Sequence, residues 1–502
     1  MSKRWFTLLA LGVLLVLVAC GSPAEPPTPA IDAAATEAAM AVMHTEETAQ
    51  AMHMEETATM AGSVATTEAM NMAGTTEAMN MAATTEAMNM EATATAEAMP
   101  VLRTENLEGE TITFYHFGDL SGPLAGITAP LITGFQDAVK AINDAGGIRG
   151  AQIELQFSDT QSNVDEAVAA YERYTSADDN VLVMFTYGSG DGEALASRFV
   201  EDQIPNLAAG LSAKAFYGPD SGYTFGYAPI YPDQFGLFLD YITANWDAVK
   251  PANAGADIKL AYISWPTAYG QAALTPESEA YAQSLGVEIV ARELIDPAPT
   301  ADATTAILNV QAAGANVIYT NSLAFGPAAI LNGLGALGVR DQFLVGANNW
   351  AMDLATYAFL SNPALAAGMI TPFPYLWWTD VTNPGIQYAA TVFAANERPP
   401  QLQSVGYLLT VAGVDLAVKA IEKAIDAVGF DALTGQAIYE ALLTFSDQDI
   451  LQGVMRVDFS NNSRSPHIAQ IRQIQGGPDK FVVLQDWTAT PDLRPAENFS
   501  NP

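Results

Sequence analysis

The chain has 502 residues, of which 20 are basic and 56 acidic, so its formal net charge is -36 at pH 7. Nucleic acid and anionic lipid surfaces would repel such a protein, and neither is expected as a partner. With Cys20 as its single cysteine, the chain has no intrachain disulfide and no cysteine-based metal site. Stability must therefore come from a large core.

The N-terminus has the pattern of a lipoprotein export signal. Lys3 and Arg4 precede a short apolar run that ends in Leu-Val-Ala-Cys at positions 17–20. A basic start, a brief apolar stretch and small residues before a cleavage point are typical of signal peptides. We expect removal of residues 1–19 and lipidation of Cys20, which would anchor the protein to the outer face of the bacterial cell membrane. An ordinary secretory peptide with a chance cysteine is the alternative.

Residues 20–110 are predicted to form a low-complexity, disordered tether. From Gly21 to Pro100 there is no Lys, Arg, Phe, Trp or Tyr, and Thr-Thr-Glu-Ala-Met-Asn-Met recurs with a period of nine from Thr66, Thr75 and Thr84. Such a stretch cannot bury enough surface to offset its chain entropy. Its paired methionines would also suit Cu(I), but a flexible spacer requires only the composition and is the preferred interpretation.

From about Thr111 to Trp487 short β-rich runs alternate with helical patterns, which predicts an α/β fold with parallel sheets. A body of roughly 380 residues is long enough for two domains. Strands are predicted at 112–117, 153–157, 181–185, 259–264, 288–294, 317–320 and 343–346, and helices at 132–145, 164–176, 193–201, 276–285, 301–313 and 327–337.

Several motifs occur in a characteristic order along this body. They are Ser121-Gly122-Pro123-Leu124-Ala125, Gly146-Gly147-Ile148-Arg149-Gly150, Ile204-Pro205, Tyr269-Gly270 and Gly406-Tyr407. Together they resemble type I periplasmic solute-binding proteins, and most of all the leucine/isoleucine/valine-binding class of ABC-transporter receptors. The resemblance covers nearly all of residues 111–490.

The resemblance implies two doubly wound α/β lobes joined by three chain crossings, with a ligand held between them. By this analogy lobe 1 comprises residues 111–235 and 373–450, and lobe 2 comprises residues 236–372 and 451–490. Pro372-Phe373-Pro374 would form one crossing. The expected function is capture of a small polar solute, such as a branched-chain amino acid or an amide, for ABC permease subunits.

The same resemblance implies a set of ligand-binding residues. They are Ser189, Gly190, Gly210, Ser212, Tyr269 and Asn348. Each has a structural alternative: Ser189 could cap a helix, Gly210 and Ser212 could form a turn, and Tyr269 could belong to the core.

Two positions depart from the pattern of amino-acid binders. Ile127 stands where such proteins carry an aromatic residue, and Asn348 stands where an acidic residue pairs with the ligand ammonium. An amide cannot neutralise a buried ammonium. Asp191 or Glu193 could supply the missing carboxylate, and otherwise a neutral amide or a carboxylic acid without an amine becomes the better candidate.

No enzyme, cofactor or metal site is predicted. Beyond the tether only His116 and His467 could act as a histidine base, and neither a nucleophile elbow nor a zinc motif occurs. A tethered sensor for a signalling partner, or an extracytoplasmic hydrolase, are the alternatives. Trp377 and Trp378 are expected to support lobe packing rather than the cleft.

Overall fold

The computed structural model describes residues 105–477 and 480–495. Cys20, the predicted signal peptide and most of the predicted tether lie outside these residues. The last tether residues join the folded body, since Leu107 is buried and its backbone N–H donates to the carbonyl of Arg149 at 2.9 Å. No helix in the described ranges combines the length and the apolar character needed to cross a bilayer.

The first sheet is parallel and has the strand order β2-β1-β3-β4-β5. Its strands are β1 (Thr111–Gly118), β2 (Gln152–Asp159), β3 (Met184–Thr186), β4 (Asn206–Ala208) and β5 (Thr224–Gly226). The intervening helices are α1 (Ala125–Asp144), α2 (Val164–Ala177), α3 (Ser189–Glu201) and α4 (Ala213–Tyr217). Helix α3 begins at Ser189, not at residue 193 as predicted, so Ser189 and Gly190 form its first turn.

The second sheet has the order β14-β13-β10-β9-β8-β6-β7 and is parallel except where β13 pairs with β10 and β14. Its strands are β6 (Lys259–Ser264), β7 (Glu288–Leu294), β8 (Val317–Thr320), β9 (Leu344–Ala347), β10 (Ile370–Phe373), β13 (Ile468–Ile474) and β14 (Phe481–Ala489). The helices within this part are α5 (Tyr231–Ala244), α6 (Trp246–Val249), α7 (Ala268–Gln271), α8 (Pro276–Ser284), α9 (Thr304–Ala312), α10 (Phe325–Ala336) and α11 (Leu354–Ala358).

The chain returns to the first sheet before it ends in the second. The returning elements are α12 (Pro384–Ala395), α13 (Val405–Val428), α14 (Gly435–Leu443) and a hairpin of β11 (Gln448–Ile450) and β12 (Met455–Val457). Helices α12 and α13 pack on α1, and β11 lies beside α13. Four short 3-10 turns complete the described elements, at Arg340–Gln342, Pro363–Ala366, Pro400–Leu402 and Phe430–Ala432.

A close helix crossing attaches the returning segment to the first lobe. A Cβ atom on Gly134 of α1 would lie 2.6 Å from the carbonyl oxygen of Tyr407 in α13, so glycine is needed for this approach. Beside it the buried carboxylate of Asp137 accepts hydrogen bonds from the guanidinium of Arg398 at 2.6 and 2.9 Å and from the hydroxyl of Tyr407 at 2.8 Å. A paired and hydrogen-bonded charge of this kind can be buried without a large penalty.

The chain thus passes between the two sheets three times: between β5 and α5, between β10 and α12, and between β12 and β13. The predicted two-lobe α/β fold is confirmed. The exact lobe limits, predicted at 235/236, 372/373 and 450/451, stay a prediction. Helix α5 contacts β10 and α8, while the N–H of Tyr231 at its start donates to the carbonyl of Leu211 at 3.1 Å.

Candidate functional site

A cavity of about 360 Å³ lies where the carboxyl ends of strands from both sheets meet. In open α/β sheets this edge is where ligands bind, because loops and helix N-termini present free polar groups there. The first sheet supplies loops after β1, β2, β3 and β4, and the second supplies loops after β6, β7, β8 and β9. The lining residues are Pro123, Leu124, Ser162, Val164, Tyr187, Gly188, Ser189, Gly190, Asp191, Ala209, Gly210, Tyr231, Trp265, Thr267, Ala268, Tyr269, Pro297, Leu323 and Trp350.

The first turn of α3 forms one wall of the cavity. Ser189 is buried, and its hydroxyl is close enough to Tyr231 to lower the pKa of that phenol slightly against the effect of burial. The N–H groups at the start of a helix have no intrahelical partner, so those of Ser189 and Gly190 can donate to a ligand. The predicted residues Ser189 and Gly190 therefore line the cavity.

Gly210 allows the loop after β4 to approach that turn. A Cβ atom at this position would lie 2.6 Å from the backbone nitrogen of Ser189 and 2.9 Å from the carbonyl carbon of Gly188. Any larger residue would push the two loops apart. Gly210 thus lines the cavity and brings two parts of the first lobe together.

Asp191 is the cavity's single carboxyl group, and it is buried. One of its oxygens accepts the backbone N–H of Gly188 at 3.3 Å, which is a long hydrogen bond. Burial raises the pKa of Asp191 from 3.8 to about 6, and the Gly188 hydrogen bond lowers it by less. Asp191 is therefore only about half ionised near pH 6, because its hydrogen bond does not offset the cost of burying the negative charge.

Tyr269 stands at the centre of an aromatic wall. Its ring meets that of Tyr231 edge to face at 5.2 Å between centroids, and that of Trp265 at 5.9 Å. Burial raises the pKa of Tyr187, Tyr231 and Tyr269, so these phenols are neutral. The predicted ligand residue Tyr269 therefore lines the cavity among uncharged aromatic rings.

Asn348 lies behind Tyr269 and is absent from the lining. Its amide nitrogen donates to the hydroxyl of Tyr269 at 2.8 Å and to the side-chain oxygen of Asn321 at 2.6 Å. Its own oxygen accepts the N–H of Trp350 at 2.9 Å. Asn348 is fully buried, so its visible role is to fix two aromatic residues of the wall.

Ser212 and Glu193, two other polar residues considered from the sequence, also lie outside the lining. The hydroxyl of Ser212 donates to the carboxylate of Glu193 at 2.5 Å. Ile127 lines a smaller adjoining hollow, together with Asp353. Trp378 donates from its indole N–H to the carbonyl of Ser404 at 3.0 Å, away from the cavity.

A model of the periplasmic binding protein family matches residues 111–478, which is most of the described chain. The chain belongs to this family. Among curated relatives, Leu/Ile/Val-binding protein homolog 1 of Brucella suis is 26% identical over 246 residues, which is 48% of this chain and 61% of that protein. The chain thus matches less than two thirds of the length of that relative.

Solved structures share the fold of this periplasmic binding protein. A branched chain amino acid ABC transporter protein from Thermus thermophilus with bound valine has a TM-score of 0.67 and 21% identity, covering 77% of this chain and 98% of that one. A fatty acid ABC transporter substrate-binding protein from Thermomonospora curvata has a TM-score of 0.64 and 19% identity, covering 79% and 98%. Family membership supports a solute-binding role, while identities this low show the fold alone.

The sequence did not single out four aromatic residues of the cavity. They are Tyr187, Tyr231, Trp265 and Trp350. Tyr187 directly follows β3 and Trp265 directly follows β6, so their place at the carboxyl ends of strands was a usable signal. Tyr231 begins α5 at the first passage between the sheets, a position that the sequence alone did not mark.

A second polar cluster of this periplasmic binding protein lies at the third passage. His467 contacts the buried carboxylate of Asp233 through Nδ1 and the hydroxyl of Ser463 through Nε2, both at 3.0 Å. Asp233, His467 and Ser463 contact one another in the order found in a hydrolase triad. In this cluster, however, the Ser463 hydroxyl donates its proton to the carbonyl of Ser465 at 2.6 Å.

The same cluster contains the set of possible metal ligands among the described residues, formed by Asp233, His467 and Asp492. Each carboxylate already has partners. Asp233 also accepts the N–H of Leu493 at 2.8 Å, and Asp492 forms an ion pair with Arg494 at 2.5 Å. These contacts tie the passage to helix α5 and to the C-terminal segment.

Proposed function

We propose that this chain is an extracytoplasmic solute-binding protein of an ABC importer, which captures a small polar solute between its two lobes. One observation carries the proposal: a single cavity is lined by the carboxyl-end loops of both sheets. A ligand in that cavity would contact both lobes and so favour the state in which they are closed around it. Branched-chain amino acids, amides and related compounds are the starting candidates.

The relatives support this function. The Brucella protein is named for binding leucine, isoleucine and valine, and the two solved structures are named as proteins of ABC transporters. We propose ABC permease subunits as the partner that receives the solute. Within the cavity, Ser189, Gly190, Gly210 and Tyr269 would contact the ligand, with Asn348 holding Tyr269 in place and Ser212 supporting the loop through Glu193.

We further propose that Cys20 carries the lipid that holds the protein at the membrane. The support is the basic and apolar sequence before it and the residue order Leu-Val-Ala-Cys at 17–20. Acyl chains contribute about 0.8 kcal/mol per buried methylene. The wild-type chain should incorporate labelled palmitate and sediment with membranes, whereas Cys20→Ser should do neither. Membrane association of the Cys20→Ser protein without label would contradict the anchor.

The experiment for solute binding is a thermal-shift panel on the full-length protein in detergent. It should include leucine, valine, short amides, carboxylates and organic cations. A ligand that binds only the folded state adds about 2.7 kcal/mol of stability at a hundredfold excess over its dissociation constant. Hits should also reduce the radius of gyration in X-ray scattering. No shift with any compound, and no change in scattering, would contradict the proposed function.

A further inference from the structure

The cavity is lined by an acidic side chain without any basic one. Its lining holds the carboxyl of Asp191 but no Lys, Arg or His. The smaller hollow beside it, which shares Tyr187, Leu323 and Trp350, adds Asp353 and again no basic side chain. A site with acidic side chains and no basic side chain attracts cations, and an anionic group is favoured there only at the N–H groups that begin α3.

Asp191 has no cationic partner among the described residues. None of the ion pairs found there includes it, and its one hydrogen bond, from the N–H of Gly188, is long. A buried carboxylate is normally paired or well hydrogen-bonded, because desolvation is otherwise costly. The missing positive charge can be supplied by a ligand.

Five aromatic residues complete the wall around this carboxyl. They are Tyr187, Tyr231, Trp265, Tyr269 and Trp350. The rings of Tyr231 and Trp265 stand at 70° and 68° to that of Tyr269, so adjacent walls are steeply inclined rather than stacked. Aromatic walls attract a cation through the negative potential of the ring faces, and they suit a nitrogen covered by alkyl groups.

A bare ammonium fits this lining less well. Its three N–H donors each need an acceptor. Besides Asp191, the side-chain acceptors of the lining are the hydroxyls of Ser162, Ser189, Thr267 and three tyrosines, whereas the remaining lining residues, including Leu124, Val164, Pro297 and Leu323, offer apolar contacts. An alkylated nitrogen needs a counter-charge and apolar contacts, and few or no acceptors.

We infer that the ligand is an organic cation with an alkylated nitrogen, such as a methylated or quaternary amine, held by Asp191 within the aromatic walls. This inference rests on the proposed solute-binding function and deepens it. A carboxylate elsewhere on the same molecule could accept the free N–H groups of Ser189 and Gly190, so both simple cations and betaines share the required chemistry.

The test compares choline with its uncharged carbon isostere, dimethylbutanol, by calorimetry on the full-length protein in detergent. The two compounds have nearly the same shape and differ in charge. Choline should bind at least about tenfold more tightly, which corresponds to the strength of a desolvated cation-to-ring contact. Tetramethylammonium and glycine betaine show whether the cationic group alone suffices or a carboxylate adds affinity.

Variants assign the effect to Asp191. Asp191→Asn keeps the shape and removes the charge, and it should weaken choline binding at least about tenfold while leaving dimethylbutanol binding unchanged. Glu279→Gln is the matched control, since Glu279 lies in the first turn of helix α8, outside the cavity lining. It should change neither affinity.

The possible outcomes distinguish failure of the cation inference from failure of the proposed solute-binding function. If leucine, an amide or a carboxylate binds and no cation does, the cation inference is wrong and the solute-binding function stands. Equal affinity for choline and dimethylbutanol, or undiminished choline binding by Asp191→Asn, would also overturn the inference. If no compound in the combined set binds, both proposals fail.

Discussion

Two buried aspartates, one in the cavity and one at the third passage between the sheets, have opposite surroundings. Asp233 contacts the imidazole of His467 at 3.0 Å and accepts the N–H of Leu493 at 2.8 Å. Among the described residues, Asp191 has one long hydrogen bond, from Gly188, and no cationic partner. A satisfied buried carboxylate holds a structure together, whereas an unsatisfied one reduces stability unless a ligand compensates it. Burial raises the pKa of both carboxyls, so the number of hydrogen-bond partners, and not the pKa, distinguishes the structural cluster from the binding site.

The largest effect should come from breaking the satisfied cluster. Asp233→Ala leaves His467 and the N–H of Leu493 without their partner, and we expect a loss of about 3 kcal/mol in the free energy of unfolding. Denaturant titration of the ligand-free protein measures it. Asp492→Asn is the milder control, because Asp492 is partly exposed and an exposed pair contributes about 1 kcal/mol or less. Equal losses of unfolding free energy in the two variants would show that the buried carboxylate of Asp233 contributes no more to stability than the partly exposed one of Asp492.

Asp191→Asn should increase the free energy of unfolding at neutral pH, in contrast to the loss expected for Asp233→Ala. The folded protein keeps its proton on Asp191 up to about pH 6, whereas the unfolded chain releases it near the ordinary pKa of 3.8. Stability from this group is therefore lost as the pH rises from about 4 to 6. Removing the charge should stabilise the ligand-free protein by about 2 kcal/mol at pH 8.

The pH dependence supplies the control for this prediction. At pH 4 the carboxyl of Asp191 is protonated in the folded state, so Asp191→Asn should change little there. A variant that is destabilised at pH 8 would show that the carboxylate supports the fold, as a helix-capping group does. Thermal unfolding at both pH values distinguishes a destabilising buried charge from a helix-capping carboxylate.

A smaller effect is expected from the aromatic wall. Tyr269→Phe keeps the ring and removes the hydroxyl that accepts from Asn348 at 2.8 Å. Asn348 retains its contact with Asn321, so the loss should be about 1 kcal/mol of stability. Affinity for a cationic ligand should fall less than about threefold, because the ring face remains. Loss of all binding would instead assign the ligand contact to the hydroxyl.

The smallest effect on binding should come from Ser212. Ser212→Ala removes its hydrogen bond to Glu193 and should cost about 1 kcal/mol in unfolding free energy. Because Ser212 is not among the lining residues, ligand affinity should stay within about twofold. A large loss of affinity at unchanged stability would place Ser212 in direct contact with the ligand.

Local patterns predicted much of the fold. Strands β1, β2, β6, β7, β8 and β9 lie close to their predicted positions, because each is a β-rich run bounded by turn residues. The three-residue strands β4 and β5 were not predicted, since a strand so short gives almost no periodic signal. The helix start at Ser189 was missed because its first turn is rich in glycine, which usually indicates a loop.

The site was only partly accessible from the sequence. Ser189, Gly190, Gly210 and Tyr269 were named in advance and line one cavity, whereas Ser212 and Asn348 lie behind it. Tyr231 at the start of helix α5 and Trp350 in the loop after β9 lie far apart in the chain, and large aromatic residues are usually core. Their meeting depends on how the two sheets face each other, which no local pattern encodes.

The most direct test of the account is the number of protons exchanged when tetramethylammonium binds the full-length protein at pH 6. Calorimetry in two buffers of different ionisation enthalpy gives this number. Asp191, with its pKa raised to about 6, is about half protonated before binding, and a bound cation would hold it ionised. We therefore predict release of about half a proton at pH 6 and none at pH 8. Uptake of protons, or no exchange at either pH, would contradict a cation held by Asp191.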